Sequence, residues 1–237
     1  MTSFGKHRER SVKSLAREAI HAALGDANLA PRDIQAAYMG NAGAPIITGQ
    51  VCVPGEIVLR EMGIGRIPVI NVENACATAS TALNQAAAMV TLGAYDVVLA
   101  CGYEKLTHED KQRTFSVFSG AVDVEATEQL RSSVDAKLRA VGIEPDLENG
   151  SGRSLFMDLY AAEVLAHMKK YGTTREQLAA VSAKNSRHGS LNARAQYREV
   201  LTVEQVLAAR EIVYPLTLPM CCPIGDGAAA VILVSDR

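Results

Sequence analysis

One cysteine of this chain, Cys76, stands between two segments of contrasting pattern. The residues before it, 69–72, form a short apolar run rich in β-branched side chains, which predicts a buried strand. The alanine-rich stretch from Cys76 to Leu92, followed by Gly93, predicts a helix and its end. A thiol at such a turn lies near unpaired N–H groups and the positive end of the helix dipole, and both favour the nucleophilic thiolate. The same N–H groups could bind an oxyanion on an acyl group attached to the sulfur.

A structural role for Cys76 competes with the catalytic one. A lone cysteine in an apolar context is usually a small buried core residue, and spacing alone does not decide between the two roles. Nucleophiles on sharp strand-to-helix turns in other enzymes provide the analogy for catalysis. The small side chains of residues 77–80 would leave room for a ligand or for another helix.

The other four cysteines are predicted to pack in the interior. They lack the spacing of a disulfide framework or of a Cys-x-x-Cys metal site, and no metal site is expected. They are Cys52, Cys101, Cys221 and Cys222. An odd total of 5 cysteines favours a reduced, cytoplasmic environment.

The composition disfavours several classes of function. The 237 residues are 48% hydrophobic and 21% charged, as in ordinary globular proteins. A net charge of −2 provides no general attraction for nucleic acid or for a membrane surface. We expect neither a signal segment nor a membrane span, because no apolar run is long enough to cross a bilayer.

Strand and helix patterns alternate along the first hundred residues. A helical period covers 11–24, and an irregular helix is predicted over 49–62, where Pro54 removes a backbone donor. Short strands are predicted at 36–39, 68–72 and 96–102. This alternation predicts an α/β fold with a parallel sheet and helices on both faces. Later segments are mainly helical, residues 147–152 are predicted to form a turn or loop, and residues 227–235 return to a strand pattern.

The segment Asn-Ala-Cys-Ala-Thr-Ala-Ser-Thr-Ala-Leu, residues 74–83, closely resembles the nucleophile segment of the thiolases. The sterol-carrier-type branch is the most similar, and further segments resemble it in order along nearly the whole chain. These segments are residues 2–7, 11–16, 102–106, 167–174, 184–188, 215–218 and 221–230. The resemblance implies a thiolase-like N-terminal half, with a mixed, mostly parallel sheet flanked by helices. It places this α/β domain at 1–106 and 214–237 and a helical loop domain at 107–213.

The resemblance also implies the chemistry. Cys76 would accept an acyl group from an acyl-CoA or 3-ketoacyl-CoA, so that a coenzyme A thioester is the substrate and no cofactor is bound covalently. The histidine and the second cysteine that complete the family's reaction lie in a C-terminal half that follows the region matched here. None of the five histidines (7, 21, 108, 167 and 188) has the family's catalytic context. We therefore expect incomplete turnover from these residues alone, and a partner subunit that supplies that half.

Three hypotheses follow from this resemblance. The first is a thiolase acting through Cys76. The second is a retro-aldolase of steroid side-chain catabolism on the same scaffold, against which the intact cysteine motif counts. The third is a half-thiolase that only binds a partner or acyl-CoA. The resemblance also implies a homodimer, because in the family the sheet edge next to the cysteine strand pairs across a two-fold axis. The run at 69–72 is apolar on both faces, and an uncovered edge of that kind would invite aggregation.

Several charged residues could have a structural role or simply face solvent instead of belonging to a functional site. Glu104 and Lys105 are predicted to form a solvated ion pair at a turn, and Gly225-Asp226-Gly227 is a turn signature. Cations of the helical region could hold the CoA phosphates, although charges on helices usually face solvent. These are Arg153, Lys169, Lys170, Lys184 and Arg187. The resemblance also implies that the family's first strand, central in its sheet, is missing here, which would leave a gap between its neighbours unless another segment fills it.

Overall fold

A computed structural model describes residues 1–143 and 155–236, so the predicted loop at 147–152 and Arg153 lie outside the described residues. The chain divides into two compact units. Unit 1 comprises Met1–Val117 and Ile224–Arg237, and unit 2 comprises Phe118–Pro223. Both boundaries lie after the predicted ones at 106/107 and 213/214.

Unit 1 is built on a four-stranded sheet. Its strands are β1 (Ala36–Gly40), β2 (Val69–Val72), β3 (Val97–Glu104) and β6 (Gly227–Val234), and they lie in the order β2-β1-β3-β6. The first three are mutually parallel, and β6 is antiparallel to β3. Its helices are α1 (Val12–Ala27), α2 (Ala44–Thr48), α3 (Pro54–Arg60), α4 (Thr78–Thr91) and α5 (Lys111–Ser119), whose last two residues belong to unit 2. The predicted mixed, mostly parallel sheet flanked by helices is confirmed.

Alternating side chains of the strands supply two separate cores. Met39, Leu99 and Cys101 point to the face covered by α1 and α3, where they pack with Leu15 and Leu59. The opposite face is covered by α4, whose Ala82 and Ala86 pack on the neighbouring positions of β1 and β3. Small residues on the inner side of α4 let that helix lie close to the sheet.

The expected gap in the sheet is absent. Strands β1 and β3 pair directly, with Ala36 opposite Val98 and Gly40 opposite Gly102. Direct pairing satisfies backbone groups that would otherwise be buried without partners. The N-terminal segment instead lies beside the beginning of β6, where the Thr2 N–H donates to the Ala228 carbonyl at 2.9 Å.

The predicted helix over 49–62 is wrong in part, because only α3 (Pro54–Arg60) lies within this range and the preceding helix α2 ends at Thr48. Between α2 and α3, Gly49 and Val53 have positive φ angles of 80° and 49°. Pro54 occupies the first turn of α3, where its missing N–H costs nothing, and its ring disfavours helical geometry in the preceding residue.

Unit 2 is mainly helical within its described residues. Its helices are α6 (Thr127–Ala140), α7 (Leu155–Tyr171), α8 (Arg175–Leu191) and α9 (Val203–Ala208). A small antiparallel pair, β4 (Glu211–Val213) and β5 (Leu216–Thr217), completes it. Capping boxes begin α8 at Thr174 and α9 at Thr202. In the part of the chain that the structure describes, no helix is both long and apolar enough to cross a membrane.

Candidate nucleophile site

Cys76 lies in a single 3₁₀ turn, Ala75–Ala77, that connects the end of β2 to α4. Its side chain is exposed, so the alternative of a buried core cysteine is wrong. The helix that the sequence places from Cys76 begins two residues later, at Thr78. The thiol therefore stands outside the regular helix, at the edge of the sheet where the parallel strands end. Its role as nucleophile stays a prediction.

Hydrogen bonds within the turn fix its shape. The Asn74 N–H donates to the Thr78 hydroxyl at 2.8 Å, and that hydroxyl donates to the Ala75 carbonyl at 2.7 Å. The Asn74 side-chain amide also donates to the Thr81 hydroxyl at 3.0 Å. Ala75 itself has a positive φ of 44°, which turns the chain sharply just before Cys76.

Several backbone N–H groups near Cys76 already have acceptors inside the chain. The Ala75 N–H donates to the Glu73 carboxylate at 2.6 Å, and the Ala77 N–H donates to the Asn74 carbonyl at 2.9 Å. The Thr78 N–H donates to the Ala75 carbonyl. An oxyanion bound at this turn would therefore need other donors, and these three N–H groups do not form the expected oxyanion hole.

Two glycines let the first turn of α4 approach the strand ends. A Cβ placed on Gly102 of β3 would lie 2.5 Å from the Ala79 Cβ, closer than real side chains come. A Cβ on Gly40 of β1 would lie 3.0 Å from the Thr78 methyl. The sequence patterns did not predict this function of Gly40 and Gly102, although a glycine within a strand can mark the close approach of another backbone.

Glu104 and Lys105 do not form the predicted solvated ion pair with each other. The Glu104 carboxylate accepts hydrogen bonds from the backbone N–H groups of residues 42, 43 and 44, at 3.2, 2.9 and 2.7 Å. Lys105 is buried, and its ammonium group donates to the His7 carbonyl at 2.7 Å and to Asp226 at 3.2 Å. The two side chains thus hold different segments in place around the end of β3.

Asp226 is a fully buried carboxylate, although its sequence predicts only a turn. It accepts from the N–H groups of Leu106 and Thr107 at 2.9 Å each, from the His7 N–H at 3.0 Å, and from the Thr107 hydroxyl. Burial alone would raise its pKa, but the bonds from Thr107 and Leu106 and the charge of Lys105 outweigh burial and lower the pKa of Asp226.

The comparison with protein families decides the identity of the fold. Residues 1–213 match the family model of the thiolase N-terminal domain. The chain belongs to the thiolase family. An acetyl-CoA acetyltransferase of Methanothermobacter thermautotrophicus is 35% identical over 232 residues, which cover 98% of this chain and 54% of that protein. Sterol carrier protein 2 of Gallus gallus is 33% identical, over 100% of this chain and 40% of that protein.

Solved structures agree with this assignment. A structure named Ltp2-ChsH2(DUF35) aldolase matches with a TM-score of 0.68 and 29% identity, over 99% of this chain and 53% of that one. Human mitochondrial 3-ketoacyl-CoA thiolase in complex with CoA matches with a TM-score of 0.65 at 17% identity, over 99% and 62% of the two chains, which shows the shared fold. The thiolase chain spans about half the length of the acetyltransferase that it matches.

The remaining cysteines and histidines of the thiolase chain have separate surroundings. Cys101 is buried as predicted, and burial raises its pKa to about 12. The prediction of interior packing is wrong for Cys52 and Cys222, which are exposed, while Cys221 is partly buried. His21, His167 and His188 are exposed. Among the residues that the structure describes, no group of three or more His, Cys, Asp or Glu side chains could hold a metal ion.

The four described cations that could hold CoA phosphates are exposed residues of unit 2. They are Lys169 and Lys170 at the end of α7, and Lys184 and Arg187 on α8. The Lys170 ammonium lies 5.0 Å from the centre of the Tyr171 ring, which engages it in a cation–π contact. Their assignment to CoA stays a prediction.

Proposed function

We propose that this thiolase chain performs acyl transfer between acyl-CoA or 3-ketoacyl-CoA and CoA, through a thioester on Cys76. The observation that carries the proposal is the exposed thiol in a sharply turned, hydrogen-bonded segment at the end of β2. The segment resembles the family's nucleophile segment and lies within the residues that match the family model. Covalent catalysis of this kind divides one difficult transfer into two easier ones.

The first step is a substitution at the thioester carbonyl. The Cys76 thiolate attacks the carbonyl carbon of the acyl-CoA, and a new carbon–sulfur bond forms as the carbonyl oxygen takes up negative charge. When the tetrahedral intermediate collapses, the carbon–sulfur bond to CoA breaks and CoA leaves as a thiolate, which takes a proton. The product is an acyl group on Cys76, and no oxidant or reductant is needed.

The second step would require a positioned acid/base, and we propose that a partner domain supplies it. The relatives that match are about twice as long, since this chain covers 54% of the acetyltransferase. Exposed apolar side chains on α4 and β6, such as Leu83 and Val231, would offer such a domain apolar contacts.

A retro-aldolase is the second candidate, and one observation favours it. The solved structure of an aldolase, Ltp2-ChsH2(DUF35), has a TM-score of 0.68 with this chain. The resemblance implies that such aldolases do not rely on the nucleophilic cysteine, so acylation of Cys76 would argue against this candidate. A half-thiolase that only binds a partner or acyl-CoA would likewise form no adduct.

A single-turnover experiment tests the proposal. The chain is incubated with acetyl-CoA, and its intact mass is measured before and after peptide mapping. We expect one acetyl adduct on Cys76, none in Cys76→Ala, and an unchanged adduct in Cys52→Ala, which removes another exposed thiol. Circular dichroism should show that both variants are folded. Absence of an adduct on Cys76 in the unmodified chain would refute the thiolase proposal.

A further inference from the structure

The residue just before the candidate nucleophile is held in an unfavourable backbone conformation. Ala75 has a φ of 44°, in the left-handed region that side chains with a Cβ disfavour by about 1–2 kcal/mol. A strained residue of this kind persists only where surrounding contacts over-determine it, and such residues cluster at functional sites. The contacts that hold Ala75 in this conformation are therefore candidates for a functional role.

Thr78 supplies two of these contacts from one oxygen atom. Its hydroxyl accepts from the Asn74 N–H at 2.8 Å and donates to the Ala75 carbonyl at 2.7 Å. The two bonds hold both residues of the strained turn that leads into Cys76. Thr78 is only 6% exposed, so water competes weakly for these bonds.

The methyl group of the same side chain contacts the sheet. A Cβ placed on Gly40 would lie 3.0 Å from the Thr78 Cγ2, so the methyl group rests on the end of β1. Thr78 thus connects the rigid strand end with the turn that carries the thiol. Side chains on rigid elements hold a reactive group more accurately than a free loop does.

We propose that Thr78 is a positioning residue for Cys76, an inference that rests on the acyl-transfer function proposed above. Its hydroxyl sets the direction of the turn and hence the direction from which Sγ meets the thioester carbonyl. Thr78 does not touch the reacting atoms. A nucleophile misplaced by about 1 Å loses on the order of a hundredfold in rate.

Three substitutions separate this role from simple stabilisation. Thr78→Val keeps the shape and the methyl contact but removes both hydrogen bonds, whereas Thr78→Ser keeps the hydroxyl and removes the methyl group. Thr91→Val makes the same chemical change at the exposed end of α4 and is the matched control. For each chain we would measure the rate of acetylation of Cys76 by acetyl-CoA, its alkylation by iodoacetamide, and hydrogen exchange at Asn74.

We expect Thr78→Val to lose about tenfold to a hundredfold in acetylation rate and to exchange faster at Asn74. Alkylation should change little, because a small reagent reaches an exposed thiol from many directions. Thr78→Ser should stay close to the unmodified chain, and Thr91→Val should match it.

Two results would overturn the role of Thr78. One is acetylation of Thr78→Val at the unmodified rate. The other is an equal loss of acetylation and alkylation in both Thr78 variants, which would show a structural role only. If the unmodified chain itself forms no acetyl adduct, the acyl-transfer function fails and the positioning role fails with it. A normal adduct in the unmodified chain with no loss in Thr78→Val refutes the role of Thr78 alone.

Discussion

Replacing Asp226 with asparagine should destabilise unit 1 strongly, because the variant keeps the shape of the side chain and removes its charge. Oδ2 of the carboxylate faces three donors: the His7 N–H, the Thr107 hydroxyl and the Lys105 ammonium. If the amide nitrogen took the place of Oδ2, a donor would face these three donors. If the amide oxygen took that place, the nitrogen would instead face the N–H groups of Leu106 and Thr107, which now donate to Oδ1. Either orientation of the amide leaves buried groups unsatisfied.

The magnitude follows from the burial of this network. Removing one partner of a buried ion pair costs about 3–5 kcal/mol, since it leaves the other charge uncompensated. The Lys105 side chain is 10% exposed and that of Asp226 is 0% exposed, so this pair belongs to the buried class. We expect Asp226→Asn to lower the free energy of unfolding by about 3 kcal/mol, the lower end of that range, because Lys105 keeps its bond to the His7 carbonyl.

Urea denaturation followed by circular dichroism would measure this loss. Glu109→Gln, which neutralises an exposed carboxylate in the same stretch, is the control and should change stability by less than about 0.5 kcal/mol. The double variant Asp226→Asn with Lys105→Met should recover part of the loss, because the unpaired charge is then removed. A loss below about 1 kcal/mol in Asp226→Asn would refute the view that this buried network stabilises the unit.

Four further outcomes are expected. Folding lowers the pKa of Asp226, so its contribution to stability is present above the unfolded pKa of about 3.9 and is lost as pH falls through the folded pKa. The urea midpoint of the unmodified chain should therefore fall more steeply below about pH 4 than that of Asp226→Asn. Gly102→Ala should lower the free energy of unfolding by about 1–3 kcal/mol, because the new Cβ pushes Ala79 and α4 outward. Gly25→Ala in α1, where a Cβ meets nothing within 4 Å, should be neutral or stabilising, and thermal melts would compare the two variants. Light scattering at micromolar concentration should show a dimer formed over the β2 edge, and a monomer would contradict it. Thiolysis of acetoacetyl-CoA by this chain alone should be far below ordinary enzyme rates, and a normal rate would mean that one of its histidines is catalytic.

Local sequence patterns predict most elements of unit 1 but not how they are combined. The apolar run at 69–72 and the alanine-rich stretch after it predict β2 and α4, because one short buried strand and one helix face each leave a periodic pattern. The direct pairing of β1 with β3 leaves no such pattern. It depends on which strands meet in the folded sheet, and no local pattern records that choice.

In the candidate site, too, some features follow from the local sequence and others depend on the fold. Cys76 is evident from its neighbours, whereas the burial of Asp226 is not, because its partners His7 and Thr107 lie 219 and 119 positions away in the sequence. Locally, an aspartate between two glycines is only a turn signal. The hydrogen bonds of Thr78 are local, yet the sequence argument used this residue only as a small neighbour of the thiol, because its burial against Gly40 depends on the fold.

The junction around Asp226 has a consequence for how much sequence this scaffold can accommodate. Thr107 and Asp226 both belong to unit 1 and are in hydrogen-bond contact, so the segment of chain that contains unit 2 starts and ends close to this junction. The entropy of closing the intervening loop grows only by about 0.6 kcal/mol for each doubling of its length. Unit 2 could therefore lengthen, shorten or be exchanged for a short glycine–serine linker while the junction keeps its bonds, which makes this point a natural place for domain insertion.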